Sequence, residues 1–254
     1  VIPGLLLAFA LFGVNFFFAH RDDHPGGKTE VVPKLWPSFV KAAPALTLPI
    51  IIVGGIVVGL TTPTEAAAVG VVTATIVGRL YGGINMEVLW GALQNTARLT
   101  GSIFMILSAV ATLGYIAGLM QWPQMLADLV TSAGFSGLQY LLVMNVVFLI
   151  AGMIMDIPVA LTLLVPIMAP LALSQGVDPT HLGIVLCFNL CIGLITPPLG
   201  GCLIITSTVT GVNYWKLARA IMPFALVEVV VLGALVLFPE ISLFLPRLVG
   251  MSVG

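Results

Sequence analysis

Two places in this sequence combine residue types that an apolar helix does not ordinarily carry. The first is Gly193-Leu194-Ile195-Thr196-Pro197-Pro198-Leu199-Gly200-Gly201. Pro197 and Pro198 bring no amide donor and clash with carbonyls of the preceding turn, while the flanking glycines favour irregular backbone, so the spacing predicts an interrupted helix. Backbone groups freed at membrane depth survive only when buried in protein or lining a cavity. The carbonyls of Gly193 and Leu194 then need partners, and Na⁺ is a suitable one. Thr196, Thr206, Ser207 and Thr208 add hydroxyl oxygens nearby, and the half-helix after the break points amide donors toward any bound anion. A proline kink made for packing is the alternative.

The second place is Met153-Ile154-Met155-Asp156-Ile157-Pro158, a lone carboxylate between two apolar runs. An acid within the membrane is costly enough to carry a function by default. Asp156 is expected to ligate a cation, to cap the following helix by accepting from its first amides, or to do both. A third feature, Thr62-Pro63-Thr64-Glu65, reads as a capping box, with Thr62 as N-cap, Pro63 at the first helical position and Glu65 reaching back to the Thr62 amide. That structural role is sufficient for it. Glu228 and Arg98 are expected to snorkel or pair within a bundle.

These residues need elements to hold them. Of the 254 residues, 59% are hydrophobic and 7% charged, which excludes water as the solvent for most of the surface. Uncharged runs long enough to cross a bilayer recur, whereas a transmembrane β-barrel shows short alternating segments. The fold class is therefore an all-α integral membrane protein. The hydrophilic stretch from His20 to Lys41 carries Arg21, Lys28, Lys34 and Lys41, and the positive-inside rule makes it cytoplasmic. Residues 1–41 are thus read as a transmembrane helix plus a cytoplasmic linker. Helices are expected over 42–60, 62–80 and 86–119, with Gln121, Trp122, Pro123 and Asp128 at an outer interface. Residues 138–174 form two apolar arms separated only around Asp156, too tight a polar turn for two full crossings. A re-entrant hairpin entering from outside closes the topology. Asp178 and Pro179 then start a broken helix over 180–212, and a last crossing follows over 220–238.

A net charge of −1 with scattered basic residues excludes a nucleic-acid partner. Cys187, Cys191 and Cys202 lie in one apolar stretch and read as small buried hydrophobes. Val1 already sits within an apolar run that lacks the basic start of a signal peptide, so an N-terminal part is expected to be missing. An intramembrane hydrolase is disfavoured, because His20, His24 and His181 lie at membrane edges and no His-Glu-x-x-His or Gly-x-Ser-x-Gly pattern occurs.

Four segments together resemble the large membrane (permease) subunit of tripartite ATP-independent periplasmic (TRAP) transporters. They are Gly59-Leu60-Thr61-Thr62-Pro63-Thr64-Glu65-Ala66, Gly152-Met153-Ile154-Met155-Asp156, Leu163-Leu164-Val165-Pro166-Ile167-Met168-Ala169-Pro170 and Ile192-Gly193-Leu194-Ile195-Thr196-Pro197-Pro198-Leu199-Gly200. Their order and spacing look like the C-terminal half of that subunit. The resemblance implies an elevator-type fold of two inverted repeats, each with a re-entrant hairpin and an interrupted helix, of which residues 42–254 would be the second. It implies coupling to Na⁺, no cofactor, and a place in the bacterial inner membrane. Carried onto this chain, it suggests a Na⁺ site framed by Gly152, Asp156, Gly193, Thr196, Pro197 and Gly200, with Pro158, Pro198, Thr206 and Ser207 toward the substrate. The implied partners are a small four-helix membrane subunit and a periplasmic binding protein that delivers an organic acid. An ion-coupled anion carrier of related fold, working without a binding protein, is the alternative.

Overall fold

The computed structural model describes residues 1–21 and 34–248, and among these every regular element is an α-helix. The chain divides into two compact units, Pro25–Ser102 and Val1–His24 with Ile103–Gly254.

The smaller unit holds α2 (Leu35–Val57), α3 (Pro63–Leu80) and the first half of α4 (Met86–Leu119). Two boundaries differ from the sequence reading. Helix α2 begins at Leu35, inside the stretch expected to be cytoplasmic linker, rather than at residue 42. Pro37 falls in its first turn, where an amide has no helical partner to lose, so nothing stops the helix from starting there. The rest of that expected linker, residues 22–33, lies outside the described residues. The helix ends at Val57 rather than at residue 60, because Gly59 turns the chain at φ +76°. The Leu60 amide then reaches back to the Gly55 carbonyl and the Gly59 amide to Ile56, each at 3.0 Å, which satisfies carbonyls left over at the helix end. Helix α3 starts at a complete capping box: Glu65 N donates to Thr62 Oγ1 at 3.3 Å, and Thr62 N donates to Glu65 Oε2 at 2.8 Å. Gly70 lets α3 approach α2, since a Cβ there would sit 2.8 Å from Ile52 Cδ1.

The larger unit contains α1 (Ile2–Arg21), the second half of α4, α5 (Trp122–Ser132), α6 (Gly137–Ile154), α7 (Ile157–Ser174), α8 (Pro179–Ile195), α9 (Gly201–Thr210), α10 (Tyr214–Leu237) and α11 (Glu240–Leu248). Helix α5 occupies what the sequence reading treated only as an interface, and α11 was not anticipated. Both are short, of 11 and 9 residues, with polar residues interleaved among the apolar ones, so neither stands out as a membrane-length apolar run. Helix α10 starts at Tyr214, not at residue 220, because Asn213 caps it: the Trp215 amide donates to Asn213 Oδ1 at 3.0 Å. Lys216 and Arg219 therefore lie in its first turns rather than before it.

Helices α6 and α8 form the centre of this unit, flanked by α7 and α10. Tyr140, Met144 and Phe148 of α6 and Val185, Leu190 and Ile192 of α8 are almost wholly buried, joined by Ala160 and Ala172 of α7. The Tyr140 hydroxyl donates to the Met168 carbonyl at 2.8 Å, tying α6 to α7 in a region with no water to take its place. The three cysteines are exposed on the surface of the chain, contrary to their reading as buried groups. On α8, Cys187 and Cys191 are one turn apart and lie opposite the face that packs on α6. Among the described residues six helices, α1, α2, α4, α6, α7 and α10, are long and apolar enough to cross a membrane.

Candidate functional site

The site grows from the crossing of α6 and α8. One layer of the crossing is polar: Asn189, wholly buried, donates through Nδ2 to the backbone carbonyl of Asn145 at 2.8 Å and to its Oδ1 at 2.7 Å. Asn145 in turn donates to the Leu141 carbonyl at 2.8 Å. One turn further along α8 and two along α6, the helices touch through backbone. A Cβ on Gly193 would lie 2.5 Å from the Gly152 carbonyl carbon, and one on Gly152 would lie 3.2 Å from the Gly193 Cα. Small residues at such a crossing let two backbones meet in an environment where tight packing, and not hydrophobic collapse, holds helices together.

Directly beyond this contact α8 stops. Its last residue is Ile195, and the chain resumes as α9 only at Gly201. The Thr196 amide donates to the Gly193 carbonyl at 3.0 Å, and the Thr196 hydroxyl donates to the Ile192 carbonyl at 2.6 Å. The break thus provides for two of its own freed carbonyls, including that of Gly193. Gly200 turns the chain into α9 at φ +52°, where a Cβ would lie 3.1 Å from the Thr196 carbonyl oxygen and 3.4 Å from that of Leu194. Only glycine fits a left-handed position crowded by two carbonyl oxygens. From outside, the Tyr214 hydroxyl reaches the carbonyl oxygens of Pro198 at 2.8 Å and Leu199 at 3.1 Å. The break also meets the hairpin, through a long 3.4 Å bond from the Gly200 amide to the Met153 carbonyl.

Asp156 occupies the N-cap position of α7, but its side chain makes no capping bond, so the expected acceptance from the first amides of α7 does not occur. The carboxylate is instead next to the start of α9, with Oδ1 lying 3.9 Å from a Cβ built on Gly201. That helix has Gly200 at its N-cap and hence no side chain to cap it. A carboxylate beside the positive end of an uncapped helix is electrostatically favoured. Asp156 also opens onto a cavity of about 240 Å³, lined with Ile157, Pro158 and Val159 of α7, Leu194 of α8 and Ile103, Ile106 and Leu107 of α4.

The structure therefore brings Gly152, Asp156, Gly193, Thr196 and Gly200 together, with Pro158 at the cavity and Pro197 and Pro198 in the break itself. Two substrate candidates stand apart. Thr206 donates to the Cys202 carbonyl within α9, and Ser207 donates to the Val212 carbonyl beyond the far end of that helix, each at 2.7 Å. Ser207 lies six positions along the helix from Gly201, a rise of roughly 9 Å. Thr62, Pro63 and Glu65 do local work at the start of α3. Sequence reasoning missed Asn145, Asn189 and Tyr214. The asparagines carry a legible signal, being isolated amides in otherwise apolar runs. Tyr214 has no such signal, since its role comes from α10 folding back beside the break.

Residues 1–241 match the protein family described as the tripartite ATP-independent periplasmic transporter, DctM component. The chain is 37% identical over 253 residues to the C4-dicarboxylate TRAP transporter large permease protein DctM of Pseudomonas aeruginosa, covering 99% of this chain and 59% of that protein. It is 33% identical over 248 residues to the sialic acid TRAP transporter large permease protein SiaM of Vibrio cholerae, covering 97% and 58%. With the 2,3-diketo-L-gulonate TRAP transporter large permease protein YiaN of Escherichia coli it shares 31% identity over 242 residues, covering 95% and 57%. The chain thus spans less than three fifths of the length of these relatives.

Proposed function

This chain belongs to the DctM component family of tripartite ATP-independent periplasmic transporters, and we propose that it forms one Na⁺ site, and part of the substrate path, of a Na⁺-coupled organic-acid carrier. Its named relatives are permease proteins, so its task is to move a solute and not to transform one. Its membership of a bacterial permease family, together with six membrane-length helices among the described residues, puts that task in the bacterial inner membrane. The observation that carries the Na⁺ reading is the meeting of hairpin tip and break. The Asp156 carboxylate stands beside Gly201, and the carbonyl oxygens of Leu194 and Thr196 crowd Gly200. Hard oxygen donors with one formal negative charge suit a small monovalent cation, and irregular backbone at membrane depth needs such a partner.

In this reading α6 and α7 are the arms of a re-entrant hairpin, and α8 with α9 is the interrupted helix of one inverted repeat that moves in an elevator fashion. A cation bound between tip and break neutralises Asp156 and draws the two elements together, so the hairpin closes only when the ion is present. The substrate's carboxylate then approaches a neutralised tip instead of a bare negative charge. A periplasmic binding protein delivers the acid and a small four-helix subunit supports the permease. Uptake of labelled organic acid into proteoliposomes containing the full complex tests this. Uptake is expected to require an inward Na⁺ gradient, and uptake unchanged when Na⁺ is replaced by K⁺ rejects the coupling.

A further inference from the structure

The cavity at Asp156 has an uneven chemistry. Ile103, Ile106 and Leu107 lie one turn apart on a single face of α4 and close it on one side, and Leu194 with the first turn of α7 closes the other. Among the described residues that line it, Asp156 is the one charged group, and there is no lysine, arginine, histidine, serine or threonine. Its volume of about 240 Å³ exceeds what a bare carboxylate fills. An apolar wall of this extent rewards methylenes and penalises hydroxyl or carboxylate groups that would enter it without a hydrogen-bond partner.

We infer that this cavity receives the carbon chain of the substrate, and that the acid it favours is a monocarboxylate with an alkyl or aryl tail, not a dicarboxylate or a polyhydroxylated sugar acid. The inference rests on the reading of Asp156 as part of a Na⁺ site. The carboxylate end of the substrate lies toward the cation and the break, and the tail lies against α4. Ile106 is a specificity-determining residue in this arrangement. It lines the cavity and is 46% exposed, so changing it does not disturb the buried core.

The experiment is equilibrium binding to the purified full-length permease complex in Na⁺ buffer, using 4-methylpentanoate, gluconate and succinate. The first two have the same number of carbons and differ in their hydroxyls. 4-Methylpentanoate is expected to bind at least about tenfold more tightly than either of the others, the gain from burying roughly two methylene groups. Ile106→Ser is expected to shrink that preference severalfold, and Ile106→Trp, which fills the cavity, to abolish binding of the branched acid; a branched acid that merely partitions into lipid or detergent is insensitive to both. Tighter binding of gluconate or succinate, or a preference untouched by both Ile106 variants, overturns the inference while leaving Na⁺ coupling intact. Repeating the titration in K⁺ separates the two claims, because equal affinity in both salts rejects the Na⁺ site whatever the tail preference.

Discussion

Gly193 and Gly152 face each other so closely that a Cβ on Gly193 would stand 2.5 Å from the Gly152 carbonyl carbon, while the reverse substitution meets its nearest atoms at 3.2 Å. The two glycines are not equivalent. Gly193→Ala must push α6 and α8 apart and is expected to destabilise by about 1–3 kcal/mol or more, whereas Gly152→Ala needs a shift of only a few tenths of an ångström. Thermal unfolding of the purified variants in detergent checks the order. Equal losses would mean that the crossing adjusts symmetrically and that the contact is looser than described.

The asparagine layer one turn away makes a different kind of prediction. Asn189→Leu strands the Asn145 carbonyl and Oδ1, which lose a shared donor, and Asn145→Leu removes Oδ1 from the same donor. Each single change is expected to cost about 1–2 kcal/mol, and the double variant less than their sum, with a coupling of about 0.6–1.7 kcal/mol as for other hydrogen bonds between membrane helices. Unfolding of the four proteins in a double-mutant cycle measures it. Strict additivity would show that the pair carries no joint energy.

At the hairpin tip, Asp156→Asn keeps the shape and removes the charge. The apparent Na⁺ affinity of transport is expected to fall by at least about tenfold, with thermal stability nearly unchanged, because the side chain makes no capping bond to lose. If Na⁺ dependence survives intact, the carboxylate serves only the uncapped start of α9. The variant then loses stability instead of ion affinity.

Tyr214 links the break to the start of α10. Tyr214→Phe deletes the donor to the Pro198 and Leu199 carbonyls and is expected to cost about 1 kcal/mol. It is also expected to weaken Na⁺ affinity, though less than Asp156→Asn, since the break loses an anchor and not a ligand. A Na⁺ titration of transport in the two variants side by side gives the ranking, and a larger effect for Tyr214→Phe contradicts it.

The capping box supplies the contrast. Thr62→Ala removes the acceptor of the Glu65 amide and is expected to lower stability by about 1 kcal/mol while leaving the Na⁺ dependence of transport where it was. A shift in Na⁺ affinity in this variant would assign the motif more than a structural role.

Much of this protein could be read from residue types alone, because in a bilayer the rules are local. A long apolar run must satisfy its backbone within itself, so it becomes a helix. Two prolines between glycines must interrupt it, and a Thr-Pro-Thr-Glu box must start one. These are properties of neighbouring residues, and α3, α6, α7, α8 and the break at Thr196 to Gly200 follow from them. The early starts of α2 and α10 escaped for the same local reason, since Pro37 in a first turn and Asn213 as a cap weigh less in hydropathy than the apolar stretches behind them.

What the tertiary structure alone decided is which of these pieces meet. No spacing rule says that Gly152 lies against Gly193, that Asn145 pairs with Asn189, or that Tyr214 holds the break. Those contacts depend on the register and crossing of helices far apart in the chain. Asp156 is the clearest case. Its position in the chain makes it the N-cap of α7, yet its carboxylate lies beside Gly201 at the start of α9 and opens onto a cavity shared with α4. Packing brings that charge beside an uncapped helix end some 45 residues away in the chain, where it is electrostatically favoured.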